Sequence, residues 1–320
     1  MTKVCIIGVY FGPFPTYFPL WLKSAEANPT VDFLIFTDQK AENLPPNVKF
    51  VGFDLPAMQN LASAKLGFEA CLQRPYKCCD FRPAYGLIFE DYLRDYDYWG
   101  HCDFDLIWGD LRGFFDLYHL EKYDKFLPLG HLALYKNTKE NNKRFMLEGS
   151  ALNYKTVFSE ARNFAFDETG GVYQIYKKND FPFFDERIFA DISKIYSRFR
   201  LALEDKNYDY QVFVWDKGHV YRYYRDGIIK TDEFIYIHFK ERGSLPMIGD
   251  VKGSPAFYVT SSGFYSFDPS QISLEEIQKY NHFNGAKSEK RELRKFEQSE
   301  RKEKLKRALR KLIGKKEAIR

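Results

Sequence analysis

Two aspartates separated by one residue form the strongest chemical signal in this chain. They lie in the segment Tyr98-Trp-Gly-His-Cys-Asp103-Phe-Asp105-Leu-Ile-Trp-Gly-Asp110. In extended backbone alternate side chains point to the same side, so Asp103 and Asp105 present their oxygens together. Mg²⁺ and Mn²⁺ prefer oxygen ligands and complete their shell with water and substrate phosphate. The pattern predicts a site for a divalent ion and a diphosphate at the end of a strand.

The same spacing occurs a second time, at Asp95 and Asp97. A chain with 44 acidic residues produces such triplets by chance, and an exposed acidic turn is the alternative for either pair. Asp95 and Asp97 lie in a polar stretch that resembles a helix end, whereas Asp103 and Asp105 follow an aromatic, strand-like approach. The context therefore favours Asp103 and Asp105 as the functional pair.

A histidine and two cations end a later strand-like segment, Phe234-Ile-Tyr-Ile-His238-Phe-Lys240-Glu-Arg242-Gly243. Imidazole is a suitable third ligand for Mn²⁺ beside two carboxylates. Lys240 and Arg242 are suited to phosphate oxygens, Arg through its fork and Lys as a point charge. The alternative for His238 is a packed histidine that closes a strand.

Parallel strands would bring polar residues at several strand ends to the same edge of a sheet. The pattern predicts a strand over Lys3–Tyr10, a helix over Tyr17–Ala27 and a strand over Val31–Asp38, which together form a βαβ unit with a right-handed crossover. Ligands of such sheets gather at the carboxyl ends of the strands. The loop at Phe11, the strand end at Asp38 and the Asp103 turn are therefore expected on one rim.

Further elements follow the same reasoning. Residues 140–185 are expected to be rich in loops, and 186–193 and 195–203 to be short helix or strand. The remaining predicted elements are strands at Val48–Phe53, Tyr96–Cys102 and Leu127–Tyr135, helices at Met58–Cys71, Phe81–Tyr92 and Asp268–Asn281, and a closing antiparallel element of Gln211–Val214, His219–Tyr224 and Glu233–His238.

Charge divides the chain into a globular part, 1–286, and a tail, 287–320. The tail holds 15 Lys and Arg against 6 Asp and Glu, a net charge of +9, which leaves 33 against 38, or −5, for residues 1–286. From Ser288 the pattern predicts a basic amphipathic helix suited to an anionic membrane surface, and a solvated charged tail is the alternative. Nucleic acid is not expected as a partner, because the globular part is acidic.

The five cysteines are an odd number without a Cys-x-x-Cys pair. They indicate neither a disulfide framework nor a structural zinc site. A reducing cytoplasm is the expected environment.

A third polar segment adds the pattern Lys77-x-x-Asp80-x-Arg82-Pro83 shortly before the acidic pair. With the preceding motifs in this order, residues 1–245 resemble bacterial glycosyltransferases of the GT-A fold, of the capsule and surface-polysaccharide type. The resemblance implies an α/β fold with a Rossmann-like, mostly parallel sheet flanked by helices. A long His-x-x-Gly-x-x-Lys segment of clearer family examples is absent.

The resemblance also implies the roles of the site residues. It places the nucleoside near Phe11 and Asp38, the nucleotide also near Lys77, Asp80 and Arg82, the diphosphate at Lys240, and Mn²⁺ or Mg²⁺ on Asp103, Asp105 and His238. The alternative for the residues at 77, 80 and 82 is an exposed helix start whose charges pair with one another.

The implied reaction moves a sugar from a nucleotide donor, expected to be UDP-linked, to a hydroxyl of a growing, lipid-linked or free surface glycan. An inverting enzyme needs a base for that hydroxyl, and Asp167 and Glu168, before Gly170-Gly171, are the candidates. An ordinary acidic hairpin is their alternative, and retention and inversion both stay open. The competing functions are a metal-dependent hydrolase or phosphotransferase and a non-catalytic carbohydrate-binding protein. The expected location is the cytoplasm, either away from the membrane or at the inner face of the cell membrane.

Overall fold

A computed structural model describes residues 1–240 and 245–317, without the side chains of residue 204 and of residues 307–317. Its strands are β1 Val4–Tyr10, β2 Val31–Thr37, β3 Val48–Gly52, β4 Tyr98–Cys102, β5 Leu106–Trp108, β6 Lys125–Phe126, β7 Leu132–Lys136, β8 Phe183–Phe184, β9 Ala190–Asp191, β10 Gln211–Asp216, β11 His219–Asp226, β12 Ile228–Phe234, β13 Tyr236–His238, β14 Met247–Ile248, β15 Ala256–Thr260 and β16 Gly263–Ser266. Its α-helices are α1 Phe18–Glu26, α2 Leu55–Leu66, α3 Cys78–Phe81, α4 Tyr85–Ile88, α5 Leu111–Leu117, α6 Tyr154–Ser159, α7 Val172–Lys178, α8 Leu274–Tyr280 and α9 Ala286–Glu317.

The largest sheet has the order β3-β2-β1-β4-β7-β6-β8, and its first four strands run parallel. β7 is antiparallel to both β4 and β6, and β8 is parallel to β6. Successive side chains of β1 enter two different cores, Val4 and Ile6 on one face and Cys5 and Ile7 on the other. A strand that is apolar on both faces belongs inside a sheet covered on both sides. The predicted α/β fold class, with a mostly parallel sheet flanked by helices, is confirmed.

The closing antiparallel element is larger than the sequence indicated. It is a six-stranded sheet of the order β12-β11-β10-β15-β16-β14. The single predicted strand Glu233–His238 is in fact two strands, because the ladder of β12 with β11 ends at Phe234. After Ile235, whose N–H donates to the carbonyl of Ile188, the chain enters a separate three-stranded sheet of the order β5-β13-β9. His238 ends β13 in that sheet, and Asp105 directly precedes β5.

The predicted helix Phe81–Tyr92 is wrong as one continuous element. It consists of α4 between two single-turn 3₁₀ helices, Arg82–Ala84 and Glu90–Tyr92. Pro83 lacks an N–H group and is tolerated only near a helix start, so it breaks a continuous α-helix here. The helix predicted at Met58–Cys71 begins earlier, at Leu55, and ends at Leu66 before Gly67, whose φ of +77° closes it.

The other boundaries shift in similar ways. The predicted strand Leu127–Tyr135 begins at Leu132, because Leu127 has a φ of +73° and ends β6 in a turn. The segment predicted as a helix over Asp268–Asn281 is helical only at Pro269–Gln271 and in α8, where the Ser273 hydroxyl caps the first turn.

The predicted basic helix is present as α9, and its first turns bind the globular part. The Glu289 carboxylate pairs with Arg198, at 2.6 Å, and with Arg200. The Glu292 carboxylate accepts hydrogen bonds from the N–H and hydroxyl of Ser197, at 2.9 and 2.8 Å. The apolar positions 309, 312 and 313 lie outside the described side chains, and the boundary at residue 286 stays a prediction. Within the described chain, none of the helices has the length and apolarity to cross a bilayer.

Candidate active site

The three-stranded sheet places the acidic pair beside the histidine. β13 pairs antiparallel with β5, which sets His238 opposite Leu106, the residue after Asp105. Asp103 follows the last residue of β4, and its N–H donates to the carbonyl of His131 at 3.0 Å. The structure thus brings His238, expected from the sequence as a third ligand, to the side of Asp103 and Asp105.

Their ligand atoms are close enough to share a metal ion. His238 Nε2 lies 3.4 Å from Asp105 Oδ2 and 4.0 Å from Asp103 Oδ2. The three potential ligand atoms all lie within 4.8 Å of one another. Asp105 and His238 are buried, whereas the Asp103 side chain is 27% exposed. Two carboxylates and one imidazole fit Mn²⁺, and the exposed side leaves room for substrate oxygens.

Neighbouring acids control the charge of His238. Burial, the largest influence, lowers the pKa of His238, but hydrogen bonds to Asp105 and Asp191 and the charge of Asp103 outweigh it and raise the pKa to about 10. The imidazolium therefore compensates the carboxylates when no cation is bound. A metal ion would replace that proton, because a ligating histidine must be neutral on the binding nitrogen.

Two further residues at this site were missed by the sequence analysis. Asp191, opposite His238 in the parallel pair of β9 and β13, accepts from His238 Nδ1 at 2.9 Å and from Lys240 Nζ at 2.8 Å. The ring of His131 stacks on that of His238 with a centroid distance of 4.2 Å. The sequence signal for Asp191 was its place as a lone acid in the apolar run Ile188-Phe-Ala-Asp-Ile192.

Arg82 connects the group of Asp103, Asp105 and His238 with the neighbouring acids Asp167 and Glu168. Its guanidinium donates to Asp103 Oδ1, to the carbonyl of Gly130 at 3.1 Å and to Asp167 Oδ2 at 2.9 Å. Burial favours the neutral form of Arg82, but Asp103 and then Asp167 hold its pKa well above the ordinary value. Arg82 is therefore a fixed positive charge between Asp103 and Asp167.

The environment makes Asp167 an unusual carboxyl group. Burial raises the pKa of Asp167 to about 7, against the opposing charge of Arg82. Burial also raises the pKa of Glu168, although a backbone hydrogen bond from Gly130 opposes it. A Cβ atom at Gly130 would lie 2.5 Å from Asp167 Oδ2 and 2.9 Å from Glu168 Oε1, so only glycine allows both acids to approach this turn. Asp167 can therefore exchange a proton near neutral pH.

Lys77 and Asp80 are fully buried, so the alternative of an exposed helix start is wrong for them. Lys77 Nζ donates to Asp80 Oδ2 at 2.7 Å and to the carbonyls of Val157 and Arg162 at 2.7 and 2.6 Å. Asp80 also accepts from the N–H groups of Phe164 and Phe166. These contacts fasten the segment 162–166 and use all three N–H groups of Lys77 inside the protein.

Phe11 and Asp38 lie at the ends of β1 and β2. The exposed Asp38 carboxylate accepts from Gly12 N–H at 2.9 Å and from Gln39 Nε2 at 2.8 Å. The hydrogen bond from Gln39, followed by that from Gly12, lowers the pKa of Asp38. Asp38 thus shapes the loop that presents Phe11, whereas Arg242 lies outside the described residues.

Most of the side chains described above line one cavity of about 760 Å³. This volume lies in the range of small-molecule and cofactor sites. Asp38 and Lys77 are not in its wall, and Tyr10, Tyr76 and Lys194 are additional wall residues. The predicted site residues in its wall are Phe11, Asp80, Arg82, Asp103, Asp105, Asp167, Glu168, His238 and Lys240.

The sequence matches one family model over residues 6–268, described as "Family of unknown function (DUF6625)". The chain belongs to this family. No functionally curated protein matches this DUF6625 chain. Among solved structures, it is similar to the apo form of mouse xyloside xylosyltransferase 1, with 8% identity and a TM-score of 0.38 over 75% of this chain and 97% of that chain. This likeness is too weak to support a statement about function.

The DUF6625 match and the site coincide along the chain. The matched residues 6–268 include every predicted site residue, from Phe11 to Arg242, and also Asp191. The basic helix α9 begins after the match ends. The cavity is thus a feature of the DUF6625 region, and the basic helix is an addition to it.

Proposed function

We propose that this protein is a metal-dependent glycosyltransferase of the GT-A type, which moves a sugar from a nucleotide donor, expected to be UDP-linked, to a hydroxyl of a surface glycan. The observation that carries the proposal is the group formed by Asp103, Asp105 and His238 in the wall of the cavity, with Lys240 beside it. Mn²⁺ or Mg²⁺ as cofactor fits this set of ligands, and transfer of a hexosyl group is part of the proposal.

The chemistry follows from charge. Cleavage of the anomeric C–O bond leaves negative charge on a diphosphate, and cations already in place stabilise the transition state more than the ground state. A bound Mn²⁺ or Mg²⁺, held by Asp103, Asp105 and His238, would neutralise part of that charge. Lys240 Nζ, whose side chain is 30% exposed in the cavity wall, supplies a fixed positive charge to the same diphosphate. Arg242 would add a second cation.

The acceptor hydroxyl must lose its proton in an inverting reaction. Asp167 and Glu168 line the same cavity as Asp103, Asp105 and His238. A base is most effective when its pKa is near the working pH, and the pKa of Asp167, raised to about 7 by burial, meets this condition. Asp167 is therefore our first candidate for the base, and Glu168 is the second.

The nucleoside end of the donor is proposed near Phe11, in the loop that Asp38 holds. Asp80 and Arg82, both in the cavity wall, are proposed for the nucleotide as well, Arg82 by direct contact and the fully buried Asp80 by holding the backbone of Phe164 and Phe166. The part of Lys77 is indirect, since its three N–H groups bond to the protein. It supports the site through Asp80.

A lipid-linked acceptor would explain the basic helix. Lys194, in the cavity wall, packs over the ring of Phe296 in α9, so this part of the helix passes beside the cavity. We propose that the helix places the enzyme on the cytoplasmic face of an anionic membrane, where each surface Lys or Arg contributes about 1 kcal/mol. Deletion of residues 297–320 keeps the contacts of Glu289 and Glu292 and should abolish binding to anionic vesicles. Unchanged vesicle binding would contradict this part of the proposal.

The test of the function is sugar transfer from a panel of UDP-sugars to glycan acceptors with Mn²⁺. We expect transfer by the wild type and its loss in Asp103→Asn and Asp105→Asn. The matched control is Asp95→Asn with Asp97→Asn, an exposed triplet of identical spacing. Release of free sugar or sugar phosphate without any acceptor requirement would indicate the hydrolase or phosphotransferase instead. Glycan binding without turnover would indicate a carbohydrate-binding protein.

A further inference from the structure

We propose that Asp191 is a positioning residue that selects which nitrogen of His238 faces the metal ion; this inference rests on the proposed metal site. Asp191 lies directly opposite His238 in the pairing of β9 with β13 and is only 7% exposed. Its Oδ1 atom lies 2.9 Å from His238 Nδ1. The backbone register thus fixes this contact.

The contact has a chemical consequence for the imidazole. The two ring nitrogens are distinct, and the hydrogen bond made by one determines the state of the other. An ionised carboxylate only accepts hydrogen bonds, so Asp191 keeps a proton on Nδ1. Nε2, which lies 3.4 and 4.0 Å from the Oδ2 atoms of Asp105 and Asp103, is then the nitrogen that gives up its proton and offers a lone pair when a metal ion binds between them. A carboxylate behind a ligating histidine orients the ring and increases its basicity.

A second contact holds the ring without choosing a nitrogen. The imidazole of His131 stacks on His238 with an interplanar angle of 27°. His131 therefore supports the face of the His238 ring, whereas Asp191 determines which ring nitrogen faces the metal site.

Asp191 also links the metal ligand to the diphosphate cation. Its Oδ2 atom lies 2.8 Å from Lys240 Nζ. When His238 is a neutral ligand, Lys240 still balances the charge of the buried carboxylate. One side chain thus holds a metal ligand and a phosphate-binding cation at the same edge of the sheet.

The first test is a calorimetric titration of the full chain with Mn²⁺. Asp191→Asn keeps the shape and one acceptor but removes the charge, and Asp191→Leu removes both. We expect a loss of affinity of about 10-fold for Asp191→Asn and about 100-fold for Asp191→Leu. The control is Asp124→Asn, another partly buried acid, which pairs with Arg144 at 2.6 Å and is not in the cavity wall. Wild-type affinity in both Asp191 variants would overturn the proposal.

The second test observes the tautomer directly. Proton–nitrogen correlation spectra of ¹⁵N-histidine protein with Mg²⁺ should show His238 with its proton on Nδ1, with the signal assigned by its loss in His238→Gln. We expect a mixture of tautomers in Asp191→Leu, and an unchanged Nδ1–H form there would contradict the proposal. Neither test needs turnover, so Mn²⁺ binding that depends on Asp191 without any sugar transfer would refute the proposed function and leave this inference standing.

Discussion

The Nε2 atom of His238 lies 3.4 Å from Oδ2 of Asp105, although the two residues come from distant parts of the chain. The pairing of β13 with β5 produces this proximity. A strand late in the sequence therefore completes an acidic site that begins at the end of β4. If a divalent cation binds between these carboxylates and the imidazole, as we propose, it must compete with the proton on His238.

This competition predicts a proton release on metal binding. Because the pKa of His238 is raised to about 10, the imidazole is protonated at neutral pH and must lose a proton when it ligates Mn²⁺. Calorimetry of Mn²⁺ binding in buffers of different ionisation enthalpy should give close to one proton per ion. Affinity should fall as the pH is lowered. His238→Gln should abolish the release, whereas the control His219→Gln, at a partly exposed histidine paired with Glu233, should keep it. Binding without proton release in the wild type would exclude His238 as a ligand.

A second prediction concerns the base. Burial raises the pKa of Asp167 to about 7, so the ionised, active form increases as the pH rises through that value. The kcat of transfer should therefore rise with pH across neutrality. Asp167→Asn should lower kcat by about 10²- to 10⁴-fold and remove this limb of the profile. The matched variant Glu168→Gln should retain the limb. If Glu168→Gln loses it and Asp167→Asn retains it, Glu168 is the base.

A third prediction separates buried from exposed ion pairs of the same spacing. Lys77 and Asp80 are fully buried at i and i+3, and removal of one partner leaves an uncompensated charge. Lys77→Met should lower the free energy of unfolding by about 3–5 kcal/mol. Lys306→Met, in the exposed pair of Lys306 with Glu303, should change it by less than about 1 kcal/mol. Urea denaturation measures both values, and equal effects would contradict a structural role for Lys77.

A fourth prediction concerns the aromatic ring of Tyr76 at the cavity. Tyr76 is 61% exposed. Its backbone is nevertheless held in place, because its carbonyl accepts a hydrogen bond from Asn163 Nδ2 at 3.0 Å and the adjacent Lys77 is buried. An exposed ring on a fixed backbone offers a platform for a sugar face at little entropic cost. Tyr76→Ala should raise the KM for the glycan acceptor several-fold with little effect on donor binding. Tyr76→Phe should behave as the wild type, and so should Tyr92→Ala, at an exposed tyrosine outside the cavity wall. An unchanged acceptor KM in Tyr76→Ala would exclude the platform.

The sequence predicted the parts of the fold that depend on local pattern. β1, β2 and α1 are continuous apolar or amphipathic segments with clear turns between them, and their bounds agree with the prediction within one residue or so. The prediction of one continuous helix over 81–92 was wrong because it gave the helical spacing of the apolar residues more weight than the helix-breaking effect of Pro83. The extent of the second sheet was underestimated because the hairpin of β15 and β16 joins it through the pairing of β15 with β10, a contact between distant parts of the chain that local pattern does not reveal.

The same distinction holds for the site. The grouping of Asp103, Asp105 and His238 could be anticipated because Asp103 follows one apolar strand, His238 ends another, and Asp105 lies two residues after Asp103. Asp191 could not, since its role depends on the pairing of β9 with β13, which no local spacing reveals. Lys77 and Asp80 were recognised as a charged group, but their complete burial depends on the segment 157–166 folding over them.

The most direct test of the central claim is thermal unfolding with UDP and a panel of UDP-sugars, with and without Mn²⁺. A ligand that binds only the folded state stabilises it by about 2.7 kcal/mol at 100 times its Kd, and the melting temperature rises accordingly. We predict an increase that requires both nucleotide and Mn²⁺, that is absent in Asp103→Asn and Asp105→Asn, and that persists in Asp95→Asn with Asp97→Asn. An equal increase without metal, or none with any nucleotide, would contradict a metal-dependent nucleotide-sugar site.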